Sequence, residues 1–334
     1  MKKAAVLGAG AAIYPASPYE ASSISAAHQG LKAGIIGLDT SHSVAFARVL
    51  NNPEGSDDLS GVNVVAAYPH GSRDIETSVS RIPGYTQEME SLGVAIVDSI
   101  DALLERVDVV LLETNDGRRH LEQALPVFKA EKPVFIDKPI AASLSDTLAL
   151  YDAAEQYDVP LFSASSLRYT ASVQTVRQGK IGKVLGADAY SPAYLETTHP
   201  DLFWYGVHGV ELLFTAMGLG CQQVTRTQTQ DTELVVGTWA DGRIGTFRGL
   251  RSGEPGYGGI AFGEKGTAPL GPYNGYEPLL KEIVAFFRSG QPPVSAEETI
   301  EIFAFMEAAD ESKRQGGAAV RLDNVLASAR QAQK

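Results

Sequence analysis

Residues 31–50, LKAGIIGLDTSHSVAFARVL, decide the fold. KAGIIG is a short apolar run and DTSH is a run of helix-capping residue types. Val44, Ala45, Val49 and Leu50 then recur at helical spacing. The expected order is strand, tight turn, helix. Working outward, GVNVVAAY (61–68), VAIVD (94–98), VDVVLLET (107–114) and PVFID (133–137) read as four further strands. Ser99 before IDALLERV and the Ser143-x-x-Asp146 capping box before TLALYDAAEQY mark helix starts between or after them. Strands alternating with helices predict a parallel, doubly wound sheet over residues 31–160.

After VPLFSAS the pattern changes. GKVLGADAYS, QQVTRTQTQ, TELVVGTWA, GRIGTFRGL and GYGGIAFG read as strands, several alternating polar with apolar residues. Residues 161–334 are therefore expected to form a mostly antiparallel sheet with one wet face, with C-terminal helices packing back on the body. Ser295-x-x-Glu298 caps one of those helices. The fold class is α/β followed by α+β. Two domains also suit 334 residues, since single cores stop growing near roughly 250 to 300.

Apolar content of 44%, 20% charged residues and 33 glycines give the profile of a turn-rich globular chain. A formal charge of -12 opposes nucleic acid and anionic membrane surfaces, and neither is expected as a partner. The single cysteine, Cys221, forms no internal disulfide. Residues 1–30 carry a basic start, an apolar stretch and a small-residue segment, which favours an export signal over a cytoplasmic leader. Gly8-Ala9-Gly10 imitates a phosphate loop, but Pro15 and Pro18 interrupt the helix that such a loop must open.

Ligands of doubly wound sheets bind at the carboxyl ends of the strands, here Gly37–His42, Tyr68–Arg73, Thr114–Asp116 and Asp137–Pro139. The dinucleotide fingerprint of a Rossmann sheet, G-x-G-x-x-G, should occupy the first, yet only Gly37 is present. A helix N-terminus still offers N–H groups to a pyrophosphate, with Thr40 and Ser41 adding hydroxyls and His42 completing the turn. Asp39 opposes phosphate unless it points away as the N-cap. No acidic residue ends the second strand, and Ser72 with Arg73 would suit a 2′-phosphate instead. NADP is favoured over NAD, and a relative without cofactor stays open.

Asp137-Lys138-Pro139 ends the fifth strand, TNDGRRH spans 114–120 and VRQGKIGKV spans 176–184. These segments resemble the glucose-fructose oxidoreductase / inositol dehydrogenase (Gfo/Idh/MocA) family, with its E-K-P, T-P-N-x-x-H and helix-to-strand segments. The resemblance covers residue 32 to the end. It implies a bound nicotinamide cofactor contacted by Thr114, Asn115 and Lys138, with Lys138 aiding proton transfer, and a homo-oligomer. A partly desolvated lysine has the lowered pKa that such work needs. The family motif D-x-x-x-H followed by an acid is matched by His208 and Glu211, with Trp204 where the aspartate should be and Asp201 as a substitute one turn earlier. Arg168-Tyr169 stands at the family's Arg-aromatic pair, so Arg168, Tyr205 and Glu211 are expected near substrate.

No metal site is expected, although His199, Asp201, His208 and Glu211 together would suit zinc or manganese. His120 reads as a structural residue at a helix start. GEPGYGGIAFGEKG and APLGPYNGY read as turns. The leading function is hydride transfer between NAD(P) and a hydroxyl-bearing carbon of a sugar, cyclitol or related polyol, with Lys138 and His208 as acid–base groups. The alternatives are a cofactor-retaining eliminase-type glycosidase and a non-catalytic carbohydrate-binding relative.

Overall fold

The computed structural model describes residues 30–333, so the leader and the Gly8–Gly10 segment lie outside it. The first sheet holds β1 (Leu31–Ile36), β2 (Val62–Tyr68), β3 (Ala95–Ile96), β4 (Val109–Leu112), β5 (Val134–Ile136) and β6 (Leu161–Phe162). Its order is β3-β2-β1-β4-β5-β6 and every pairing is parallel. That is the doubly wound order that reverses at β1 and opens a crevice between β1 and β4. Central strands covered on both faces must be apolar throughout, and β4 and β5 are wholly buried. The third strand, expected over 94–98, shrinks to two residues at the sheet's edge.

The turn after β1 leads into α1 (Ser41–Leu50). Gly37 takes φ +91°, and a Cβ there would stand 2.4 Å from Thr114 Oγ1 and 2.6 Å from its Cα. Glycine is required where the first turn crosses the end of β4. Thr40 is the N-cap of α1, accepting from the His42 N–H at 3.4 Å. Asp39 does not fill that role. Ser99, Ser143 and Ser295 cap their helices through Ala102, Asp146 and Glu298.

The second sheet holds β7 (Val184–Pro192), β8 (Cys221–Gln228), β9 (Thr232–Trp239), β10 (Ile244–Leu250), β11 (Gly258–Gly263), β12 (Gly266–Pro269) and β13 (Val320–Arg321), in the order β12-β11-β7-β10-β9-β8-β13. Only β7 and β10 pair in parallel. One face is covered by the helices Val207–Met217 and Ala296–Arg314. The other is not uniformly polar: Tyr190, Ile244, Ile260 and Phe262 stand exposed on it. β12 and β13 were not anticipated, and neither was β6 of the first sheet. Of the C-terminal helices, Glu277–Ser289 packs on the first sheet, where Leu280, Ile283 and Phe286 join Ile35 and Phe46.

Candidate functional site

A cleft of about 330 Å³ lies between the carboxyl ends of the first sheet and the second domain. The first sheet supplies Thr40, Ser41 and His42 from the start of α1, Asn115 from beyond β4, and Lys138 from beyond β5. The second domain supplies Trp204, Tyr205 and His208, and the loops around β11 and β12 add Tyr257, Tyr273 and Tyr276. The Tyr257 hydroxyl donates to Tyr205 at 3.2 Å. Polar groups thus face an aromatic wall, a surface suited to the hydroxyls and the C–H faces of a polyol.

His208 and Lys138 share this cleft. His208 is buried in the helix Val207–Met217, and its Nδ1 lies 2.8 Å from Ser165 Oγ. Burial, with Lys138 and His42 adding positive charge, holds its imidazole well below the usual histidine range. It is therefore neutral at physiological pH. Lys138 Nζ stands 3.7 Å from Asp137 Oδ2, while His42 Nδ1 approaches the same oxygen at 2.8 Å. His42 lies against Phe46 and, edge-on, against Tyr276.

Asp39 is fully buried. Its Oδ2 accepts from the Ser72 N–H at 2.7 Å and the Ser72 hydroxyl at 2.5 Å, and its Oδ1 accepts from the Asn115 N–H at 3.0 Å. A Cβ on Gly71 would stand 2.5 Å from the same carboxylate. Three loops are clasped around one charge, which therefore faces protein donors rather than a phosphate. Neither Asp39 nor Ser72 lines the cleft. Arg73 is exposed, 3.6 Å from Glu122, and Thr114 donates to Gln123 at 2.6 Å.

Other expected site residues lie away from the cleft. Arg168 is fully buried, donating to Glu211 at 2.7 Å and Glu298 at 2.6 Å. Glu211 also accepts from the Ser165 N–H at 2.7 Å. Both are structural ion-pair members here, which corrects their expected place beside substrate. Asp201 pairs with Arg226 and Lys313, so it cannot replace the family's aspartate next to His208. His199 lies against Trp204, with Nε2 at 3.4 Å from Asp116. His199, Asp201, His208 and Glu211 thus point to separate partners and form no metal set. His120 is held between the carbonyls of Ile140 and Thr114 at 3.0 and 2.6 Å, a structural position.

Sequence reasoning missed Ser165 and the three tyrosines. The glycine-rich turns were a signal for the latter, because each carries an aromatic residue between its glycines. The residues present fit the nicotinamide and pyrophosphate part of a dinucleotide. The first turn of α1 has no acidic residue, its N-terminus opens on the cleft, and Asp39 is turned away. At the adenosine end no carboxylate closes β2.

A parallel sheet in this order, with a lysine beyond β5 that shares a cleft with a buried histidine of the second domain, defines a Rossmann-type protein with a second, mostly antiparallel sheet. Residues 3–165, just under half of the chain, match the model of the oxidoreductase family with NAD-binding Rossmann fold, Gfo/Idh/MocA. A 1,5-anhydro-D-fructose reductase of Ensifer adhaerens is 30% identical over 127 residues, 36% of this chain and 37% of that protein. An uncharacterised oxidoreductase of Streptococcus pneumoniae is 28% identical over 121 residues, 34% of this chain and 32% of that protein. The matched stretch thus spans about a third of these curated relatives. The solved scyllo-inositol dehydrogenase of Lactobacillus casei with NAD(H) and scyllo-inositol shares the fold, with a TM-score of 0.70 and 16% identity over 88% of this chain and 99% of that one.

Proposed function

We propose that the protein is an NAD(P)-dependent oxidoreductase acting on a hydroxyl-bearing carbon of a sugar, cyclitol or related polyol. The observation that carries this reading is that Lys138 and a buried, neutral His208 line one cleft with the N-terminus of α1. Thr40, Ser41 and the N–H groups behind them would hold the pyrophosphate, and Asn115 and Lys138 would border the nicotinamide. When bound, that group supplies a hydride acceptor or donor.

The chain's own residues handle the proton. In the tautomer whose Nδ1–H donates to Ser165, His208 Nε2 is an acceptor for a substrate hydroxyl, and the Lys138 ammonium stabilises the oxygen as it gains charge. Positioned proton transfer of this kind contributes about 10²- to 10⁴-fold. Trp204, Tyr205 and Tyr257 would orient the substrate and exclude water. The relative named for 1,5-anhydro-D-fructose and the inositol dehydrogenase with its bound inositol support this substrate class.

Calorimetric titration with NAD⁺ and NADP⁺ separately, followed by a polyol panel read at the reduced nicotinamide band, tests the reading. Micromolar binding and turnover are expected. Absence of binding to both would end it in favour of a carbohydrate-binding relative. The exposed Tyr190, Ile244, Ile260 and Phe262 on the open sheet face support a homo-oligomer through that face, which light scattering would measure.

A further inference from the structure

Behind Lys138 lies a cluster that the hydride-transfer reading does not use. His42, Glu113 and Asp137 are all buried, and one nitrogen or oxygen from each lies within 4.8 Å of the others. They come from three segments at the carboxyl ends of the strands: the first turn of α1, the residue after β4 and the residue after β5. Both carboxylate oxygens of Glu113 and Oδ1 of Asp137 are buried without a hydrogen-bond partner. Nearby Asp39 is satisfied by its three donors, so it relieves none of this.

His42 and Lys138 both approach Asp137 Oδ2, at 2.8 and 3.7 Å, so the Glu113 carboxyl and Asp137 Oδ1 are left facing this space without a donor. A buried carboxylate with no donor is costly, and such groups in folded proteins are paired or coordinate metals. We propose that His42, Glu113 and Asp137 bind one divalent cation of the zinc or manganese class at the head of the crevice between β1, β4 and β5.

The donor set is one imidazole nitrogen and two carboxylates, a mixed nitrogen and oxygen set that suits these ions over calcium or magnesium. His42 Nδ1 and Asp137 Oδ2, 2.8 Å apart, form one edge of the set, and the unpartnered oxygens of Glu113 form the opposite side. His42 also lines the cleft, so an ion there has a route to solvent and a face toward substrate. Such a cation would hold Asp137, and through it the Lys138 ammonium, in place. The site stands on its own donors and does not depend on the proposed reaction.

The test uses the full chain after treatment with a chelator and exhaustive dialysis. Calorimetric titration with Mn²⁺ and with Zn²⁺ should give one site per chain, weakening as pH falls because the ligands must shed protons. Glu113→Gln keeps the side-chain volume, and it and His42→Asn should each weaken binding at least tenfold while their thermal unfolding stays cooperative. Glu88→Gln, remote and partly exposed, should bind as the parent does. Failure of both ions to bind would overturn the proposal and leave a shared proton as the occupant. Binding that Glu113→Gln leaves unchanged would overturn it equally, by placing the ion elsewhere.

Discussion

Ser165 Oγ and His208 Nδ1 lie 2.8 Å apart, and this contact decides which histidine nitrogen faces the cleft. Ser165 also accepts from the Leu167 N–H at 3.2 Å, so its oxygen is fixed from two sides. Ser165→Ala should lower kcat about fivefold, the effect of one hydrogen bond of roughly 1 kcal/mol. KM should change little, because the serine does not touch substrate. A matching rise in KM would show that it acts on binding instead.

His208→Asn and Lys138→Met should each reduce turnover by about 10² or more while far-ultraviolet circular dichroism stays that of the parent. Since burial keeps the His208 imidazole neutral, kcat should show no acid limb near pH 6.5, the ordinary histidine value. A half-titration there would mean that His208 is charged in the working enzyme.

Asp39→Ala removes the acceptor of two N–H groups and one hydroxyl. It should cost about 3 kcal/mol in urea denaturation, through donors left buried and unpaired. Dinucleotide binding should weaken with it, because the first loop loses its anchor. Tighter binding in the calorimeter would instead mark the carboxylate as repelling phosphate.

His199 gives a pH dependence of known sign. Burial, working against the nearby Asp116 charge, lowers its imidazole to about 4 from 6.5. Between those values the unfolded chain binds the extra proton, so stability rises with pH across the window and is lost as pH falls through it. His199→Gln should flatten the melting temperature between pH 4 and 6.5 relative to the parent, a difference on the order of 2 kcal/mol at its lower end. Parallel curves would remove His199 as the cause.

Glu211→Ala leaves the buried Arg168 with only Glu298. A broken buried pair costs about 3 kcal/mol, and the urea midpoint should fall accordingly. Turnover per folded molecule should persist, which separates support of the fold from contact with substrate.

The first five strands of the first sheet were legible because buried parallel strands are continuous apolar runs between capping residues; the two-residue β6 was not. β13, two residues long, and β12, a short edge strand ending in Pro269, carry no periodicity to read. Lys138 and His208, singled out through the resemblance to family motifs, both line the cleft. Arg168 and Glu211 were misplaced for a physical reason: a polar residue at a cleft-forming position looks the same in sequence whether it faces ligand or a buried counter-ion. The meeting of His42, Glu113 and Asp137 depends on three chain segments far apart in sequence. Its one trace was Glu113, a carboxylate directly after the apolar run of β4.

The clasp on Asp39 has a thermodynamic consequence for ligand capture. Glycine-rich phosphate loops are mobile until filled, and ordering them subtracts from affinity. Here a carboxylate and its three donors hold the equivalent turn in shape before any ligand arrives. The entropy of ordering is then spent during folding, and association should proceed with little rearrangement of residues 37–42.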